Sequence, residues 1–412
     1  MEHALQDSPR IVVEDKRVAN IPPNVDPTLV VDFDYLSPPG FDGGDIYASL
    51  AQLHDGPDIV WTPHHGGHWI ATRADDTKWI QESWQLFSAR EKGVPRGWFP
   101  FMPPITYDPP DHTRFRAVFN PFFAKNRILG EYEPKARKVI GELIETLRPL
   151  GKCDFVSAFS QVAPIMIFFD FVNLPYERRD EFLGWGRMLS GPMADRMAAH
   201  QAITGYLGEL LDERFEAPGD DIFTAISQWR ENPRFRAREE LTGMAELVFL
   251  GGQDTVASMM GFSMWRLAER PDLQQRLRDD RDVIPAAIEE LLRRHGLSIT
   301  ARLIMEDIEH KGASLKAGDM ILVVNPLSGI DPRTCDDPFT IDFDREPVAH
   351  NTMGNGPHKC VGQHLARMEM RIFLEEWSRR MPIVSLDPDA PPPSSHPGGV
   401  LGMKRLHLRW QA

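Results

Sequence analysis

The most constraining feature of this chain is one short run, Met353-Gly-Asn-Gly356-Pro-His358-Lys-Cys360-Val-Gly362. Glycines stand before and after Cys360, so backbone amides can come close to its sulfur and donate hydrogen bonds that steady a thiolate. A strong helical pattern runs from Gln363 to about Arg380. A helix starting there aims its N-terminal dipole at the same sulfur, which lowers the thiol pKa. An anionic sulfur in a protected loop is what the axial ligand of a haem iron needs, because thiolate pushes electron density onto the metal. The competing reading is a buried structural cysteine in a turn. The glycines and His358 weigh against it.

A fold that encloses a cofactor needs a core, and 412 residues with 42% hydrophobic side chains can supply one. The formal net charge of −14 disfavours a general nucleic-acid binder. The cysteines are Cys153, Cys335 and Cys360, with no CxxC and no zinc-like cluster. Such an odd, sparse set argues against a disulfide framework and fits a reducing, cytoplasmic setting. The first residues, MEHALQDSPRIVVEDKR, carry charges throughout and contain no apolar signal core. The longest apolar stretch, Leu247 to Leu267, is interrupted by Gln253, Asp254 and Arg266, so it reads as a buried helix and not a membrane span.

The expected fold class is mainly α with a minor β region. Residues 1–25 read as an N-terminal arm and 26–412 as a single domain, since no linker or repeat divides the chain. His68 to Arg73 is β-like, and Ala74 to Trp84 is helical. Pro95 to Pro110 must be largely loop; with Trp98, Phe99, Phe101 and Met102 it is suited to covering an apolar cavity. Helical spacing marks Glu131–Leu147, Ala158–Val172, Glu177–Leu189 and Ala199–Phe215. One long helix is expected from about Arg238 to Glu269, and another from Pro285 to about Arg294. Leu315 to Asp319 reads as a hairpin turn leading into the strand Met320–Val324.

Three further constellations bear on chemistry. Glu290 and Arg293 share a helix face at i and i+3 and can pair, usually a structural arrangement. Gly251-Gly-Gln-Asp254-Thr255 lies in the middle of the long helix. Adjacent glycines there are costly, so the run reads either as a kink with a back-bonding threonine or as a functional opening. His112 and Arg116, four residues apart, join Arg302 and His358 as cations that can hold carboxylates, although each alone is more often a surface charge.

The cysteine loop resembles the haem-binding loop of the cytochromes P-450, FGxGxHxCxG, with Met353 in place of the usual Phe. The other three runs resemble the family's ExxR pair, its oxygen-activation motif and its propionate-binding cations. The likeness extends from about residue 35 to 410 and is nearest to the bacterial camphor hydroxylase group. Shared-looking stretches include Gly66–Arg73, Ile288–Arg294, Leu327–Asp331 and Gly362–Arg367.

This resemblance implies a P-450 fold, with haem b between the long central helix and the loop that carries the ligand, Cys360. It implies His112, Arg116, Arg302 and His358 at the propionates, and a structural Glu290–Arg293 pair. Thr255 is expected to hydrogen-bond dioxygen, and Asp254 to relay protons. The implied activity is a monooxygenase using O2 and electrons from a [2Fe-2S] ferredoxin with its reductase. The implied protein is a cytoplasmic monomer, without nucleic acid or membrane. For the ferredoxin, the candidate basic patch is Arg73, Lys78, Arg114, Lys359 and Arg367; the alternative is ordinary solvated charge.

The group's ketone-binding tyrosine aligns with Pro100, and Tyr107 lies too close to Asp108 to replace it. Loss of that donor weakens selection for camphor. The expected pocket positions are Trp98, Phe99, Pro100, Met102, Leu247, Leu250, Gly251, Ser298, Gly399 and Val400, with Gly399 enlarging the cavity. These point to a terpenoid or norisoprenoid such as an ionone or damascone. The alternatives are a camphor- or cineole-type monoterpenoid hydroxylase, a peroxide-driven peroxygenase, or a haem sensor without turnover.

Overall fold

The computed structural model describes residues 17–189, 193–252 and 254–411 of the chain. The rest of the expected N-terminal arm, and Gln253, lie outside the described residues.

A mixed sheet forms one side of the molecule. Its strands run in the order Ile59–Thr62, His68–Ala71, Met320–Val324, Ile299–Ile304 and Phe87–Ser88. His68–Ala71 pairs parallel with Met320–Val324, and the other pairings are antiparallel. Side chains alternate between the faces of a strand, and here both faces are buried. Val60, Ile70, Leu322 and Val324 join the large helical core. Ile59, Trp61, Trp69, Ile321 and Val323 join a smaller core that also takes Val25 and Leu29. Residues 17–25 are therefore partly tied down, and the Val18 amide donates to the Pro63 carbonyl at 2.9 Å.

The helices lie to the other side. Glu133–Leu147 packs along Gln363–Arg380. Val162–Val172 and Arg179–Leu189 follow within a few residues of the expected bounds, and Met193–Glu216 begins six residues before the expected Ala199. Two expectations are corrected. The long helix is two segments, Arg238–Gly251 and Asp254–Glu269. The break falls at Gly252, whose ψ of −8° no longer continues the helix. The turn Leu315–Asp319 is not a hairpin, because the strands on either side of it belong to different sheets. The hairpin lies one step earlier, where Ile308–His310 pairs with Ala313–Leu315. Lys311 and Gly312, at φ 47° and 84°, make its two-residue turn.

Candidate functional site

Sheet, gapped helix and cysteine loop enclose a cavity of about 320 Å3. The cysteine loop is held by its own backbone: the Cys360 amide donates to the Met353 carbonyl at 2.8 Å. Gly354 and Gly356 take left-handed φ values of 67° and 62°. At Gly356 no other residue fits, since a Cβ would stand 2.6 Å from the Gln81 carbonyl oxygen. Gln363–Arg380 starts directly after Gly362.

Cys360 sits deep in the fold with its surface open to the cavity. Burial raises its thiol pKa; the Gly362 amide and the Arg116 and Arg367 charges act in the opposite direction and do not overcome it. The expectation of a lowered pKa is thus corrected for the protein alone. A cation at the sulfur has to supply the remaining stabilisation of a thiolate.

The gapped helix forms the opposite wall. Leu247, Val248, Gly251, Gly252, Thr255 and Val256 line the cavity. A Cβ on Gly251 would meet nothing within 4 Å, so the backbone is open there to an approaching group. Thr255 Oγ1 donates to the Gly251 carbonyl at 3.1 Å. The threonine is therefore both back-bonded and cavity-facing. Asp254 heads the second segment but does not line the cavity. It keeps solvent contact although it lies deep, and burial raises its carboxyl pKa to about 6.

Arg116, Arg302 and His358 line one end of the cavity. His112 lies behind them, its ring 4.5 Å from that of His358. Burial and the neighbouring Arg116 and Lys92 lower the His112 pKa to about 4. Burial, then Lys92 and Arg302, hold His358 far below the usual imidazole range. Both ring nitrogens of His358 and Nε2 of His112 are buried without partners. Burial brings Arg302 down to about 10, and it pairs with no carboxylate among the described residues. A largely apolar cavity between a cysteine and a gapped helix, lined by cations without carboxylate partners and by an imidazole with unpartnered nitrogens, fits a large apolar group bearing carboxylates. A haem has that shape and charge.

Glu290 and Arg293 lie outside this cavity and are joined in a buried pair. Their surroundings tie the helix Ile284–Arg294 to the chain between Gly329 and Thr340, through Arg293 donations to the Gly329, Pro338 and Thr340 carbonyls.

Of the expected pocket positions, Leu247, Gly251 and Ser298 line the cavity. Gly399 and Val400 run beside the lining segment: the Ile299 amide donates to Gly399, and Val400 bridges Ser298. Trp98, Phe99, Pro100, Met102 and Leu250 stand off the cavity wall. Phe99 and Trp98 fold back onto Gly93, and the loop at Phe101–Pro103 presses onto Gly243 of the gapped helix. From this loop Pro104 and Ile105 reach the cavity instead.

Among the cavity residues that escaped the sequence reading, three kinds stand out. Phe168 and Phe171, at i and i+3 on Val162–Val172, line the cavity, and that spacing was the available signal. Glu369 also lines it, with Oε2 unpartnered and its pKa raised well above the usual range by burial. An acid between the buried Met368 and Met370 was the clue there. Lys92 is the third, and no motif marked it.

The expected basic patch is corrected at Arg73. Its side chain is 4% exposed and lies against Asp58 and Asp331, so it can present no charge to a partner. Arg114 is paired with Asp111 at 2.7 Å, and Arg367 is held by both oxygens of Glu289. Lys78 and Lys359 are exposed. Lys125, Arg367 and Lys359 all act on His364, placing these charges together beside the cysteine loop.

The family model described as Cytochrome P450 matches residues 181–410. The chain is 33% identical over 402 residues to the probable cytochrome P450 127A1 of Sinorhizobium fredii, a match covering 95% of this chain and 97% of that protein. It is 30% identical over 369 residues to the nocardicin C N-oxygenase of Nocardia uniformis subsp. tsuyamanensis, covering 86% and 92% of the two chains. The solved structure of cytochrome P450 CYP101C1 superposes with a TM-score of 0.87 at 35% identity, over 95% of this chain and 100% of that one.

Proposed function

The chain belongs to the cytochrome P450 family, and from that premise we propose that it hydroxylates a small terpenoid or norisoprenoid, ionone- or damascone-like, with electrons from a [2Fe-2S] ferredoxin and its reductase. As a member of that family the protein is a cytochrome P450 monooxygenase whose cofactor is haem b with a cysteine thiolate ligand. We assign that ligand to Cys360, and the propionates to Arg116, Arg302, His112 and His358. Residues 26–412 act as one catalytic domain. Among the described residues no helix is long and apolar enough to cross a membrane, and we place the protein in the cytoplasm.

The bound haem supplies activation of O2 and insertion of one oxygen atom into a C–H bond. The chain's own groups bind, orient and move protons. Asp254, titrating near pH 6, exchanges a proton with solvent at neutral pH and passes it toward Thr255 Oγ1. Thr255 holds its hydroxyl at the cavity wall through the Gly251 carbonyl. Phe168, Phe171, Leu247 and Val248 exclude water and grip an apolar substrate.

The observation that carries the substrate reading is the covering loop. It brings Pro104 and Ile105 to the cavity, neither of which has a side-chain donor for a ketone. A substrate chosen by apolar fit is favoured over one chosen by a hydrogen bond. A spin-shift panel with camphor, cineole, α-ionone, β-ionone and β-damascone tests this on the ferric protein. Large shifts with the ionones and small ones with camphor support it. A dominant shift with camphor or cineole replaces it with the monoterpenoid reading. Reduction by the ferredoxin system is expected near His364, where Lys125, Lys359 and Arg367 gather.

A further inference from the structure

Lys92 follows the short strand Phe87–Ser88 and is 7% exposed. Its carbonyl accepts from the Ala301 amide at 2.8 Å, which fixes its backbone beside Ala301 and Arg302. Its side chain lines the cavity with Arg116, Arg302 and His358, and its amine makes no ion pair with an acid among the described residues. Asp108 acts on it from a distance but is committed elsewhere, to the Ser88 hydroxyl, the Ala89 amide at 2.9 Å and Arg90 at 3.6 Å. A buried ammonium without a partner costs several kcal/mol, roughly. Lys92 and Arg302 also repel each other. A cation placed so unfavourably in the protein alone is complementary to an anion that arrives with the bound group.

We propose that Lys92 is a haem-propionate ligand, a third basic group beside Arg116 and Arg302 that the sequence motifs do not contain. The proposal rests on the haem reading above. The geometry favours a propionate over a substrate carboxylate because Lys92 stands beside Arg302, to which its backbone is fixed through Ala301, and both line the cavity.

The test uses the ferric holoenzyme and two readouts other than turnover: the rate of haem transfer to excess apomyoglobin and the ferric/ferrous midpoint potential. Lys92→Met is expected to speed transfer by about tenfold, the scale of one lost charge-assisted bond. It is also expected to lower the potential, because a cation near the haem disfavours the more positive ferric state. Lys92→Arg should stay within about twofold of wild type, since it keeps the charge. If the Met variant does not accumulate as holoprotein, Lys92→Gln decides: a lowered potential supports the proposal and a wild-type potential overturns it. Wild-type transfer and potential in the Met variant overturn it, and loss of the spin shift of a carboxylated terpenoid alongside them makes Lys92 a substrate residue instead. Wild-type protein that binds no haem would be a failure of the haem reading, visible before any variant is made.

Discussion

Arg293 and Glu290 meet side by side, Nε to Oε2 at 2.7 Å and Nη2 to Oε1 at 2.8 Å, with both side chains almost wholly buried. Arg345 adds a third contact, its Nε 3.1 Å from Glu290 Oε1. Removing Arg293 leaves the buried Glu290 with the single Arg345 contact in place of its two-pronged partner. Arg293→Ala is therefore expected to cost about 3–5 kcal/mol. Thermal unfolding and the yield of haem-loaded protein measure this. A variant with wild-type stability and yield would mean the pair is not what binds the helix Ile284–Arg294 to the Gly329–Thr340 segment.

Gly356 and Gly251 carry opposite expectations for the same change. Gly356→Ala forces a side chain into a left-handed backbone and against the Gln81 carbonyl. A loss of about 1–3 kcal/mol is expected, with a disturbed thiolate spectrum. Gly251→Ala meets open space. It should leave the fold intact, or gain up to about 1 kcal/mol from helix propensity, while narrowing the cavity. Unfolding midpoints and ionone spin shifts for the two variants check both halves.

Much of this fold could be read from local pattern. The strand Met320–Val324 and the helix Gln363–Arg380 match expectation because a short apolar run and a long amphipathic one each have a single low-energy solution. The cysteine loop was legible because its glycines are required by the backbone itself. Arg73 was misread because sequence displays its charge but not its burial against Asp58 and Asp331, which only the folded sheet brings near it. The course of the Pro95–Pro110 loop was hidden for the same reason. Its position is set by a close approach to Gly243, a contact between segments far apart in the chain. Lys92 belongs to no motif, and its importance lies in what its side chain lacks.

The partner surface is testable by charge reversal. Lys359→Glu and Lys125→Glu should slow ferredoxin-driven reduction while leaving the substrate spin shift unchanged, and the loss should shrink as salt rises. Arg73→Glu behaves differently. It puts a third carboxylate beside Asp58 and Asp331 in a buried site, so loss of folded protein is expected before any effect on reduction. Stopped-flow reduction rates at two ionic strengths, alongside thermal unfolding, separate the cases. Equal effects of Lys359→Glu on reduction and on spin shift would remove the patch assignment.

Asp254 carries a testable pH dependence. Its folded pKa of about 6 lies above the ordinary carboxylate value because burial disfavours the charged form. The folded state therefore binds more protons than the unfolded state between about pH 4 and 6, and stability from this group falls as pH rises through that window. Asp254→Asn removes the penalty. Its unfolding midpoint should exceed that of wild type at pH 7, and the two should converge toward pH 4. On the proposed relay the same change removes the proton donor to Thr255, so turnover should fall by at least about tenfold at neutral pH, the lower range for loss of a general acid–base group. Stability and activity would then move in opposite directions, as expected of a group retained for chemistry at a cost to the fold. An Asn variant less stable than wild type at pH 7, with unchanged turnover, would instead assign Asp254 a structural role at the head of the second helix segment.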